Sequence, residues 1–321
     1  MDSHRGQYFH VISRVVDRRF VFGDYEKDVF LGMLRQYEGF TGVQVLSYCL
    51  MSNHFHLLLY VPSRPEFIPE SEVLKRLGCL YSKDQMSEIL EELEGLNSEE
   101  LRRFREEYLD KFRVRMFHLS HFVRELKLRF SKFYNARNER KGTLWEERFR
   151  CSLIEGCPNA LMNTAAYIEL NPVRAGIVED PLQYRWCSFT EAVAGGGAAK
   201  AGIVKLASGM NSPIPYKDAE KRYREFHIYK SKIQSGSRRP MAADKGLCEQ
   251  GNQLKGDTLT MGESVGTRVR YFIDGVLVGS REFIEDWYKR NKDKLNTKRK
   301  VISSRVRREG NTDLYTYRKV D

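Results

Sequence analysis

No apolar run in the 321 residues approaches the roughly 20 that a membrane-spanning helix needs, so no membrane association is expected. The opening Met-Asp-Ser-His-Arg lacks the basic-then-apolar layout of a secretory signal, and a cytoplasmic location is the expectation. Cysteine is sparse and scattered: Cys49, Cys79, Cys151, Cys157, Cys187 and Cys248 form no Cys-x-x-Cys pair. That argues against a zinc site or a disulfide framework and for free thiols in a reducing compartment. There is no tandem repeat and no helicase-like phosphate loop.

What the chain has in excess is positive charge. The net charge of +11 and pI near 9.3 point to a polyanionic partner, without separating DNA from RNA or an acidic surface. Aromatic residues at 12% suffice both for a packed core and for stacking on bases. The length allows one good-sized core with appendages, or two domains.

Gln7 to Val16 reads as a first strand, rich in β-branched and aromatic residues. Asp24 is a plausible N-cap for a helix to about Gln36, with Gly39 as its stop. Val43–Leu50 and His54–Val61 read as two strands joined by the turn Met51-Ser52-Asn53. Pro62 to Arg115 departs from this pattern and reads as a charged helical insertion. A second core helix follows from Phe117 to Arg137, then a strand from Phe149 to Ile154. Pro158 opens a further helix that Pro172 closes near Asn171. This order predicts an α+β fold, an antiparallel sheet covered on one face by helices.

Gly195 to Gly197 is expected to end the first domain, residues 1–194. A helix over Lys217–Lys230 and a polar connector would fill 195–266. A hairpin at Asp274-Gly275, a helix from Ser280 and a basic tail would form a small module over 267–321, an α/β extension.

In a strand, alternate residues share a face, so His54, His56, Leu58 and Tyr60 point one way and Phe55, Leu57, Leu59 and Val61 the other. The second, apolar set is expected under the helices, which leaves both imidazoles on a reachable face. Neutral imidazoles bind divalent ions well, and two of them with one oxygen ligand leave room for phosphate oxygens. Two solvated histidines on a polar strand face are the plain alternative. His118 and His121 could also meet, though a half-buried helix face is the simpler account.

On the helix from Asn159, the i+4 neighbours Asn163, Tyr167 and Asn171 would form one polar stripe, with Tyr167 accessible. A phenol of pKa about 10 attacks only when a metal or base favours its phenolate. Asn171 offers a neutral oxygen that could complete a metal's ligand set. A basic stretch precedes this helix, including Arg124, Lys127, Lys132 and Lys141, extended by Trp145 and Arg148. Cations interleaved with aromatics suit an extended single strand. The basic tail from Lys289 to Arg308 either binds nucleic acid or is a solubilising end.

Taken together, these segments resemble a known family. Met51-Ser52-Asn53-His54-Phe55-His56-Leu57-Leu58 looks like the His–bulky–His (HUH) motif of single-tyrosine transposases. Tyr167-Ile168-Glu169-Leu170-Asn171-Pro172-Val173-Arg174-Ala175-Gly176 resembles the tyrosine helix of the REP-associated branch. Gly142-Thr143-Leu144-Trp145-Glu146-Glu147-Arg148-Phe149 is similar to another segment of that branch. The resemblance covers roughly Gln7 to Phe189.

It implies a ferredoxin-like antiparallel sheet with helices on one face. His54, His56 and Asn171 would hold a divalent metal ion, Mg2+ or Mn2+, and Tyr167 would be the nucleophile. Asn171 stands where wider relatives carry a longer amide or an acid, and its shorter arm makes it the weaker ligand. Arg124, Lys127, Lys132, Lys141, Trp145, Arg148 and Arg174 would contact single-stranded DNA. The implied activity is cleavage and rejoining of single strands at hairpin-forming repeats through a 5′-phosphotyrosine link, by a nucleoid-associated protein acting as monomer or homodimer. The rival readings are a replication-initiator or relaxase nickase of the same chemistry, and a silent nucleic-acid-binding regulator.

Overall fold

The structure is a computed structural model that describes residues 6–209, 212–234, 276–291, 304–305 and 315–317. The chain divides into two compact units. One is built from Val15–Gln44 and Tyr60–Arg148, the other from Gln7–Arg14, Val45–Leu59 and the chain from Phe149 onward.

The strands and helices used below, in chain order, are β1 (Gln7–Arg14), α1 (Asp24–Thr41), β2 (Gln44–Leu50), β3 (His54–Val61), α2 (Glu70–Leu77), α3 (Lys83–Gly95), α4 (Arg102–Arg113), α5 (Leu119–Arg137), β4 (Arg150–Ile154), α6 (Pro158–Glu169), α7 (Asn171–Arg174), α8 (Ser188–Val193), α9 (Gly197–Ser208), α10 (Tyr216–Gln234), β5 (Leu277–Gly279), α11 (Arg281–Asn291), β6 (Ser304–Arg305) and β7 (Tyr315–Tyr317). The mixed α+β class is as expected.

In the first unit, α1 lies against α5. Phe130 stacks on Phe22 with ring centroids 4.8 Å apart and meets Phe30 edge-on at 5.2 Å. Burial of three such rings gives this pair of helices its core. The helix α1 runs through Gly39 and stops at Gly42, whose φ of 75° is left-handed. Only that backbone state, cheap for glycine, turns the chain out of the helix. The expected insertion folds as α2, α3 and α4, with Ser82 and Gln85 forming a reciprocal cap at the start of α3.

The second unit holds the sheet, in the order β2-β3-β1-β4-β5-β7-β6. Strand β4 runs antiparallel to β1, with Phe9 opposite Leu153 and Val11 opposite Cys151. It runs parallel to β5, Leu153 opposite Leu277, so the sheet is mixed rather than wholly antiparallel. The parallel step is possible because a long crossover separates these strands in sequence. Strand β2 is last in the order, and its edge is covered. Leu50 N–H donates to Trp186 O at 3.0 Å and Tyr48 N–H to Ser188 Oγ at 3.0 Å.

Helix α6 is buried from Ala160 to Glu169, with α9 and α10 packed against it. It is therefore a core helix rather than the expected amphipathic one, because helices supply its outer neighbours. Pro172 does not end the helical path; it sits in the first turn of α7, where a missing N–H costs nothing. In the C-terminal part, Leu277, Ile284, Tyr288 and Tyr317 make a small core. Glu155 ties it to β4 by accepting from Ser280 N–H at 2.6 Å and from Ser280 Oγ at 3.0 Å. The helix expected from Ser280 is α11. The connector expected over Ser235–Gly266, most of the Asp274-Gly275 hairpin and most of the basic tail lie outside the described residues.

Candidate active site

Four aromatic side chains from three segments of the second unit meet in one place. His54 and His56 leave β3, His10 leaves β1 and Tyr167 leaves α6. The His56 and Tyr167 ring centroids lie 5.8 Å apart, edge to face, although 111 residues separate them in sequence. His10 makes the same edge contact with Tyr167 at 5.8 Å. It stacks on His56 at 5.3 Å, and His54 meets His56 at 5.1 Å.

Both imidazoles of the pair have one ring nitrogen committed. Nδ1 of His54 lies 2.7 Å from Asn53 Oδ1, and Nδ1 of His56 lies 3.0 Å from His10 Nε2. That leaves the Nε2 atoms of His54 and His56 as the nitrogens a cation could meet. Burial, with the Arg14 charge nearby, lowers the His54 pKa to about 4. Burial also takes His56 well below the usual histidine value, helped by His54, His10, Arg174 and Arg14. Both rings are neutral at pH 7, the form that binds a metal. Among the described residues no group of three or more His, Cys, Asp and Glu side chains could hold a metal. The donors gathered here are the imidazoles of His54 and His56. Imidazole nitrogens suit Mn2+, which accepts them more readily than the strictly oxygen-preferring Mg2+.

Asn171 donates through its amide to Tyr167 O at 3.1 Å and Ile168 O at 2.9 Å, satisfying carbonyls at the end of α6. Its Oδ1 is the atom that could ligate. Tyr167 is 1% exposed, not accessible as the helical spacing predicts. The strand face bearing the histidines is likewise covered, with His56 2% exposed, because α6 lies over it. Arg174 lies over the Tyr167 ring at 4.3 Å and donates from Nη2 to Tyr167 O. Its Nη1 is buried with no hydrogen-bond partner among the described residues. Such an orphan N–H beside a phenol is a ready donor to an anionic oxygen.

A second polar cluster anchors α6 from its other side. Glu169 is fully buried and accepts from Ser47 Oγ of β2 at 3.1 Å and from Ser188 Oγ of α8. His227 Nε2 of α10 lies 3.1 Å from its other oxygen. Three elements therefore grip the residue two places after Tyr167, which fixes the rotation of the helix. Asn163 faces no open groove; it is fully buried and bonds back to Asn159.

The expected DNA-contacting residues separate into two groups. Arg124, Lys132, Lys141 and Arg148 are exposed. Lys127 is buried, donates to Glu147 O at 2.8 Å and lies 5.1 Å over the Trp145 ring. Trp145 is buried too and donates to Lys127 O and Ser131 Oγ. These two hold the middle of α5 to the loop before β4, so the interleaving of cations and aromatics is here a packing pattern. His118 and His121 sit 4.8 Å apart at the start of α5, in the first unit.

His10 and Glu169 carry roles that the spacing argument did not assign. His10 had one visible signal: a lone imidazole in a strand of Tyr, Phe, Val and Ile, on the face of Tyr8, Ile12 and Arg14. Glu169 lies inside the quoted tyrosine segment but is given no role there, because a single acid in a helix reads as solvated.

Residues 3–75 match the family model for IS200-like transposases. That stretch contains β1, α1, β2 and the histidine-bearing β3, and the resemblance read from the motifs is borne out there. Among solved structures, a REP-associated tyrosine transposase bound to a REP hairpin is similar. It shares 12% identity at a TM-score of 0.35, over 60% of this chain and 82% of that one. No curated protein matches the chain in sequence. Among the described residues no helix is long and apolar enough to cross a membrane.

Proposed function

We propose that this chain is a transposase-type endonuclease and strand transferase for single-stranded DNA at hairpin-forming repeats, with Tyr167 as nucleophile. The observation that carries the reading is the edge contact of Tyr167 with His56, itself in contact with His54, from a distant stretch of chain. Neither a phenol nor an imidazole pair is informative alone; together they supply a nucleophile and a place for a cation beside it.

His54 and His56, with Asn171, would hold a divalent ion, whose chemistry is to neutralise charge on the scissile phosphate. The chain's own part is to position and to polarise. The Tyr167 oxygen attacks phosphorus, an O–P bond forms, and the bond from phosphorus to the 3′-oxygen breaks. The 5′ side of the DNA is then a phosphotyrosine ester, and the phenolic proton passes, net, to the departing 3′-oxygen. Because the new ester replaces the old one, a second 3′-hydroxyl can reverse the step without ATP. Arg174 Nη1 is the donor for a non-bridging phosphate oxygen, and movement of that guanidinium would uncover the buried ring. The exposed Arg124, Lys132, Lys141 and Arg148 would contribute phosphate contacts along the strand.

The test mixes protein, Mn2+ and 5′- or 3′-labelled hairpin strands and resolves the products on denaturing gels. A covalent adduct carrying the 5′-phosphate side is expected for the wild type and none for Tyr167→Phe. An adduct that survives Tyr167→Phe would assign the nucleophile elsewhere, and no adduct from wild type would end the reading.

A further inference from the structure

We propose that His10 is a positioning residue for the candidate metal centre: its Nε2 accepts a hydrogen bond from His56 Nδ1–H and so presents His56 Nε2 to the ion. This rests on the functional reading above and goes beyond it by giving a task to a residue outside the histidine motif.

The geometry supports it in three ways. The nitrogen–nitrogen separation is 3.0 Å, a hydrogen-bond distance at which one ring must donate and the other accept. His10 is 1% and His56 2% exposed, so water does not compete for either atom and the bond carries its full directional force. The neighbouring ligand is treated the same way, since Asn53 Oδ1 lies 2.7 Å from Nδ1 of His54. An amide oxygen can only accept, so His54 carries its proton on Nδ1 and its lone pair on Nε2. An imidazole acceptor at His10 places His56 in the matching state. Ligation through Nε2 requires the ring proton to sit on Nδ1, and a partner at Nδ1 is what selects that tautomer.

The arrangement also explains why a polar ring is kept on the buried face of β1, between Tyr8 and Ile12. An unpaired imidazole there would cost stability. The pairing satisfies it, and the register of β1 in the sheet becomes part of the metal site.

The test is Mn2+ binding by isothermal calorimetry, on the full chain without DNA. His10→Phe keeps an aromatic ring and removes the acceptor, and is expected to weaken Mn2+ binding 10- to 100-fold. His10→Gln can still offer an oxygen and should recover most of the lost affinity. Affinity equal to wild type in a folded His10→Phe protein overturns the proposal while leaving the function intact. No Mn2+ binding by wild type would instead strike at the metal reading itself. Should His10→Phe fail to fold, 15N spectra of histidine-labelled wild type decide. A proton on His56 Nδ1, with Nε2 shifting on Zn2+ addition, supports the assignment, and a proton on Nε2 refutes it.

Discussion

Acidifying the metal-free protein should unfold it through the histidine pair, and His54 gives the effect a size. Its pKa falls from 6.5 to about 4 on folding, because burial and the Arg14 charge disfavour the imidazolium. The folded value lies below the unfolded one, so between these two pH values the unfolded chain holds more protons. Stability contributed by neutral His54 is therefore complete above pH 6.5 and lost as the pH falls to about 4. That drop is worth about 3 kcal/mol. His56 shifts in the same direction and adds to the loss. Urea denaturation followed by circular dichroism, from pH 7 to 4 in the presence of a chelator, measures it. The comparison is with His54→Gln, which cannot titrate. Wild type should lose about 3 kcal/mol more than the variant across that range. Parallel curves for the two proteins would mean that His54 titrates as in water, and the argument from burial would fail. The same shift keeps both rings available to Mn2+ at pH 5.5, where an ordinary histidine site has begun to protonate.

Gly202 of α9 sits so close to β2 that an added Cβ would come within 2.5 Å of the Leu46 carbonyl oxygen. Gly202→Ala gains about 1 kcal/mol of helix propensity but loses about 1–3 kcal/mol to overpacking against backbone, so a lower urea midpoint is expected. An unchanged or raised midpoint would show that the helix can move away. Burial also lowers the Lys127 pKa to about 8 from 10.5, so its ionised form costs stability at neutral pH. Stability tied to this group is present above pH 10.5 and lost as the pH falls through 8, an effect of about 3 kcal/mol. Lys127→Met should flatten that dependence in urea titrations while single-strand affinity stays within about twofold. A large affinity loss would return Lys127 to the DNA contacts.

How much of this could be read from the residues depended on whether the signal was local. Strand β3 was predicted to the residue, because His54 to Val61 alternates and follows a three-residue turn. The end of α1 was missed: Gly39 was the expected stop, whereas the helix runs on to Thr41 and ends at Gly42 with its left-handed φ. The site was half visible. His54, His56 and Tyr167 carry motif text, whereas His10 and Glu169 act through partners 46 and 122 residues away in sequence, which spacing cannot reveal. The burial of Tyr167 escaped prediction for a related reason. A helix looks amphipathic until the elements on its far side are known, and here α9 and α10 occupy that side. Lys127 and Trp145 illustrate the reverse error, since a cation–aromatic pair suited to a nucleic acid is equally suited to its own neighbour.

The parallel seam between β4 and β5 sets a timetable for the nascent chain. Leu153 and its partner Leu277 leave the ribosome 124 residues apart, a delay on the order of ten seconds at ordinary translation rates. During that interval one side of β4 has no neighbour from β5, and its amides are open to foreign strands. Slowing of elongation downstream of Ile154 would lengthen this exposure, and with it the opportunity for aggregation during biogenesis.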